Sequence, residues 1–152
     1  MELKTSKKTF FILLFLSYFV AFFIMAFLQT PEQMQWFKTL KQSPIAPPEI
    51  TFSIVWSILY FLIPISAWFI WHKVSHTLFY SQYLTQIIWS LIFFQCHWLW
   101  LGVAVLACLC LINIAINTQF YEKSRLSGLL FAPYTLWCFF ATLLNLTVAW
   151  LN

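Results

Sequence analysis

Long apolar stretches alternate along the chain with short polar punctuation, and the apolar stretches have helical length. The charged residues leave four charge-free windows, at 9–31, 50–72, 74–121 and 126–152. About 20 residues at about 1.5 Å rise cross a ~30 Å hydrocarbon core, so each shorter window fits one spanning helix. The window 74–121 is twice that length and requires a hairpin, with its break near His97 to Gly102. The pattern predicts an all-α integral membrane protein, a five-transmembrane-helix bundle. Its helices fall at about 9–28, 49–71, 78–96, 99–121 and 126–150, in a single domain covering 1–152, with the connection 29–48 as a candidate lid.

Within these windows the rings and amides fall into stripes. Pro47 and Pro48 have no backbone N–H and fix their own φ, so the second helix begins at or just after them, with Glu49 near its positive end. Phe52, Trp56, Tyr60 and Ile63 then follow at spacings of four, four and three, on one helical face. Pro64, later in the same helix, frees a backbone carbonyl and predicts a kink that neighbouring helices can absorb. In the third predicted helix Gln82, Gln86, Trp89, Phe93 and His97 recur at helical spacing. Amide and imidazole groups inside a bilayer cost free energy unless they face protein, water or a ligand, so packing and binding both stay open for this stripe. Asn113 and Asn117 share a face of the fourth helix and read as interhelical hydrogen-bonding groups. The fifth carries Tyr134, Trp137, Ala141, Leu144 and Asn145 on nearly one face, and Ala141 is small enough to let a flat molecule approach. In the connection 29–48, Trp36, Phe37 and Leu40 share one face of a short amphipathic turn, as expected of a segment lying in the interface.

Composition excludes a water-soluble globule: 62% of the residues are hydrophobic and 8% charged, too few polar groups to cover one, so the lipid bilayer is the first partner. With five spans, Lys4, Lys7, Lys8, Lys73, Lys123 and Arg125 collect on one side and only Lys38 and Lys41 on the other. The positive-inside rule then puts the N-terminus in the cytoplasm, and the net charge of +4 needs no nucleic-acid partner. The first apolar run is too long for a signal-peptide core and is expected to remain as helix one. Cys96, Cys108, Cys110 and Cys138 lie in apolar segments with no C-x-x-C, which indicates neither a zinc site nor a disulfide framework. His72 and His76 stand four apart without a third ligand, so no metal site is assigned, and the lone His97 is not expected to be an obligatory haem ligand. No paired carboxylates and no Ser/His/Asp set are visible, so no catalytic residue is assigned and an enzyme is the less expected outcome.

The three stripes combine into a pocket walled by Phe52, Trp56, Tyr60, Trp89, Phe93, Trp137 and Leu144, with Gln86 and Asn145 as sparse polar groups and Trp56 and Trp137 stacking on one ligand. Such walls suit a large, flat, hydrophobic molecule. Pro47-Pro48, three residues, Phe52, two residues, Val55-Trp56, two residues and Leu59-Tyr60 resemble the signature of the translocator protein family, also called tryptophan-rich sensory proteins or peripheral benzodiazepine receptors. The block from Pro133 to Asn145 is similar to that family's last helix, and Trp36-Phe37-x-x-Leu40 resembles its first-loop pattern. Trp89 and Phe93-Phe94 match it too, while Gln86 stands where the family commonly has Asn. The resemblance spans roughly 36–152. It implies a five-helix fold, a site that includes Pro47, Pro48, Tyr134 and Ala141 beside the pocket residues above, and porphyrins or haem as ligands with no obligatory cofactor. It also leaves room for a homodimer. The family's C-terminal cholesterol pattern is absent here, because no Tyr, Lys or Arg follows Tyr134, so a sterol is not the expected ligand. A porphyrin-binding sensor or transporter is the leading expectation, an enzyme that oxidatively degrades bound porphyrin is the alternative, and a purely structural role comes third.

Overall fold

The computed structural model describes the backbone of residues 7–28, 30–74 and 76–152, and their side chains except at 7, 8, 10, 11, 21, 22, 24–28 and 72. Among the described residues the chain is all-helical: α1 (Lys7–Leu28), α2 (Pro31–Thr39), α3 (Glu49–Trp68), α4 (His76–Ser90), α5 (Leu99–Lys123) and α6 (Arg125–Leu151). Three of these, α3, α5 and α6, are long and apolar enough to cross a membrane. A five-residue π segment, Leu91–Gln95, extends α4.

Two places differ from the expected course of the chain. The helix expected over 49–71 stops at Trp68, and Trp71–Lys73 forms a single 3₁₀ turn. There the His76 ring stacks on Trp71 at 3.8 Å and its Nε2 donates to the Trp71 carbonyl at 2.7 Å, which holds the corner closed. This engages His76 with Trp71; the side chain of His72, its suggested metal-binding partner, lies outside the described residues. The second difference is α2, a full helix where an amphipathic turn was expected. Its start is written locally: Pro31 occupies the first turn, and the Gln33 side chain accepts from the Thr30 backbone N–H at 2.8 Å. Glu32 in the first turn and Lys38 in the last complement the helix dipole.

The five longer helices pack in a closed ring: α1 beside α3, α3 beside α6, α6 beside α5, α5 beside α4, and α4 back against α1. One end of the bundle is solid. Phe79, Phe120, Phe131 and Tyr134 are fully buried there and meet ring to ring at 5.2–6.2 Å. Close approach of α5 and α6 depends on Gly128, since a Cβ at that position would lie 2.7 Å from the Tyr121 Cα. Asn113 on α5 donates to the Cys138 sulfur on α6 at 3.2 Å, the interhelical role expected of it. The other end is open, and α2 lies across it.

Candidate functional site

Five side chains tie four helices together at the floor of the open end. Gln86 on α4 donates through Nε2 to the Tyr60 hydroxyl on α3 at 3.0 Å, while its Oε1 accepts from the Tyr134 hydroxyl on α6 at 3.0 Å. Tyr134 also reaches Gln82 Oε1 at 2.8 Å, and Gln82 Nε2 donates to Tyr18 on α1. Buried polar groups in an apolar interior are costly unless paired, and here amides and phenols satisfy one another.

Above this floor is a cavity of ≈670 Å³, within the roughly 300–1,000 Å³ of small-molecule pockets. Its walls come from both ends of the sequence. Phe52, Trp56 and Tyr60 descend α3 from the Pro47-Pro48 entry, where the Thr51 N–H bonds the Pro48 carbonyl at 2.9 Å and starts the helix. Trp89, Phe93 and Phe94 come from α4 and its π segment, and Leu144, Asn145 and Val148 from α6. Trp89 lies stacked with Phe93 at 5.8 Å, and its Nε1 donates to Asn145 Oδ1 at 3.3 Å.

The π segment is what aims Phe93 and Phe94. An extra residue in the helical turn closes through Cys96 N–H to the Leu91 carbonyl at 3.1 Å, and such bulges are frequent at functional sites. The chain then reverses through His97, whose φ of 58° is left-handed, a conformation histidine tolerates better than most side chains. Gly102, in the first turn of α5, gives Phe93 its room: a Cβ there would stand 3.1 Å from Phe93 Cδ2.

Helix α2 rests on this same segment. Trp36 stacks on His97 at 3.8 Å and 15° and meets Phe93 edge-on at 5.8 Å, while Phe37 reaches Phe93 and Phe94, both at 6.0 Å. Beyond α2, the Asn152 side chain clasps the Lys41 backbone from both sides, accepting its N–H at 3.0 Å and donating to its carbonyl at 3.2 Å. Lys38 at the cavity mouth pairs with Glu49 at 3.3 Å, both side chains largely exposed.

Of the residues expected at the site, Pro47, Pro48, Phe52, Trp56, Tyr60, Gln86, Trp89, Phe93, Leu144 and Asn145 line this one cavity. Three do not. Tyr134 is fully buried in the floor beneath it, where it holds Gln82 and Gln86. Trp137 sits against Phe52, edge to face at 5.5 Å, and is not among the residues lining the cavity, while Trp56 meets Tyr60 at 5.6 Å with their planes tilted by 30°. Ala141 contributes its carbonyl, which accepts from Asn145 Nδ2 at 3.0 Å. Phe37 and Lys38 of α2, and Gln42 and Ser43 after it, line the cavity as well. Gln42 and Ser43 were not legible as site residues, because nothing in a loop's residue order tells which side faces inward, and Lys38 was not, because it lies off the Trp36/Phe37/Leu40 face. Among the described residues there is no cluster of three or more metal-ligating side chains.

Comparison with known proteins matches residues 11–151 to the model of the TspO/MBR family. The chain is 35% identical to protein CrtK of Rhodobacter capsulatus over 77% of its own length and 78% of that protein. It is 30% identical to the tryptophan-rich protein TspO of Archaeoglobus fulgidus, covering 81% and 84%. With the protein of that name from Bacillus cereus the identity is 29%, covering 96% and 98%.

Proposed function

Since this chain belongs to the TspO/MBR family, we propose that it is a multi-pass membrane receptor that takes up flat, hydrophobic small molecules of the porphyrin class in the cavity beneath α2. The observation that carries this reading is the wall itself: Phe52, Trp56, Tyr60, Trp89 and Phe93 face one space of ≈670 Å³ closed by a lid. Large ring faces held in fixed positions stack on conjugated planar molecules at little cost in side-chain entropy. In this reading α1 and α4 with its π extension cross the membrane beside the three long apolar helices, giving five spans with the N-terminus in the cytoplasm, as the Lys/Arg distribution supports.

The test is a titration of the purified chain in lipid nanodiscs with protoporphyrin, followed by quenching of tryptophan fluorescence. Saturable one-site quenching is expected, and quenching no greater than in empty nanodiscs overturns the reading. Mass spectrometry of the porphyrin after incubation in light and in darkness separates a receptor, which returns it intact, from an enzyme that degrades it.

A further inference from the structure

Two histidines lie flat on tryptophans, one at each end of α4 and its π extension. His76 stacks on Trp71 at 3.8 Å and 11°, within one turn of chain, so that pair fixes a local corner. His97 stacks on Trp36 at 3.8 Å and 15°, and this pair joins two separate parts of the molecule, the end of the π segment and the middle of α2. The two sides of the joint are held differently. Around His97 the backbone is fixed, with the Cys96 N–H on the Leu91 carbonyl at 3.1 Å and the Trp98 N–H on the Ile92 carbonyl at 3.2 Å. Helix α2 has nine residues, none of them buried. It is tied beyond its C-terminal end by the Asn152 clasp on Lys41 and along its length by the rings of Trp36 and Phe37.

His97 is exposed, so a charge on its ring keeps much of its hydration. Few charged groups stand near it. On α2 they are Glu32, four positions before Trp36, and Lys38, two after it, and Lys38 is paired with Glu49 of α3 at 3.3 Å. Lys41 follows α2, and Cys96 precedes His97 on its own segment. Helices α1, α4, α5 and α6 bring no charged side chain to this end of the bundle. Carboxylates titrate below the imidazole range, thiols and ammonium groups above it, so near neutral pH the group at this joint that changes charge is His97.

We propose that the Trp36–His97 stack is a pH-sensitive latch on α2: protonation of His97 sets an imidazolium on the indole face and holds α2 more firmly across the cavity, and loss of that proton loosens it. This rests on the reading of α2 as the lid of the cavity and adds to it a condition under which the lid opens. The sign follows from which state holds the proton better. An indole face carries negative charge density and attracts a cation, whereas with α2 lifted away the imidazolium has water alone. Closure is therefore strengthened below the range around pH ~6.5 in which imidazoles ordinarily titrate, and that part of it is lost as the pH rises through the range. The contacts of Trp36 with Phe93 and of Phe37 with Phe93 and Phe94 are indifferent to pH, so the latch loosens without letting go.

Hydrogen exchange of the α2 amides reads the latch without any ligand. The native chain in nanodiscs is compared at about pH 5 and about pH 7.5, between the ordinary titrations of carboxylates and thiols, with each exchange rate divided by the intrinsic rate at that pH. Protection of α2 should be about two- to fivefold greater at the lower pH, the scale of a cation on an aromatic face at an exposed site. His97→Asn removes the titrating ring and keeps a residue that tolerates the left-handed backbone, and Trp36→Leu removes the indole; each should bring the ratio to about one. Glu32→Gln should leave the ratio as it is. Equal or smaller protection of the native chain at the lower pH overturns the proposal. So does a ratio that survives His97→Asn or Trp36→Leu, or one that disappears in Glu32→Gln. Because no porphyrin enters the measurement, each of these outcomes leaves the cavity reading standing, and failure of the porphyrin titration leaves the latch to be judged by exchange.

Discussion

Trp56 and Trp137 occupy similar-looking places in two proline-containing helices, yet only Trp56 faces the cavity. Replacing Trp56 by Leu keeps an apolar side chain and removes the stacking face, worth about 0.5–1.5 kcal/mol beyond area burial, so porphyrin affinity should fall by roughly two- to tenfold. Trp137→Leu, acting only through Phe52, should change it by less than about twofold in the same titration. Gly102 makes a complementary case. A methyl group there stands 3.1 Å from the Phe93 ring, which must yield, so Gly102→Ala should lower affinity while the circular dichroism stays native. Residue-level reading of the sequence reached the right faces and some of the wrong duties. Spacing put Gln86 and Asn145 on the inner side, but periodicity reports a face and not a partner. Tyr60, Tyr134, Trp89 and the Ala141 carbonyl lie 4 to 56 positions away from the amides they satisfy.

Among the elements, α2 and the π segment behave as one unit, joined by Trp36 on His97 and by Phe37 on Phe93 and Phe94. Opening the lid breaks these ring contacts. A double-mutant cycle of Trp36→Ala and His97→Ala should give a coupling of about 0.5–1.5 kcal/mol, measured as the change in amide-exchange protection of α2. Lys38→Ala alone should change that protection by under about 1 kcal/mol, because its ion pair with Glu49 is exposed. The α5–α6 pair responds in the opposite way. Gly128→Ala sets a carbon against the Tyr121 backbone at 2.7 Å, which no side-chain rotation relieves. It should cost about 1–3 kcal/mol, seen as a lower thermal transition in nanodiscs. The long helices were legible because charge-free length is a strong signal. The π segment was not: Leu91–Gln95 has no Gly or Pro to mark it, and one extra residue in a turn leaves a continuous apolar run unchanged. The shorter end of α3 was hidden for a related reason, since Trp71 is as apolar as the helix it leaves and the corner is fixed by its contacts with His76, Phe79 and Tyr80.

For the molecule as a whole, the two ends of the bundle differ, one solid with aromatic rings and one hollow under a lid. If the N-terminus is cytoplasmic, the lid faces outward, and a cysteine placed at Gln42 should react with an impermeant maleimide in intact cells while one at Lys123 should not. The background must have Cys96 and Cys108 replaced by Ser, since both are exposed. The reverse labelling pattern inverts the assignment. The hydrogen-bonded floor has a further consequence for how such a bundle is made. If α4 crosses the membrane as proposed, Gln82 and Gln86 enter it on that helix, but the Tyr134 hydroxyl that both accept from arrives only with α6, two helices later in the chain. In that case two amide oxygens would wait in hydrocarbon without the donor they meet in the folded bundle, where water is a poor substitute. A chain truncated before Pro133 should therefore keep two unanswered amide oxygens on α4 and be cleared from the membrane faster than one that includes α6, as a pulse-chase comparison would measure.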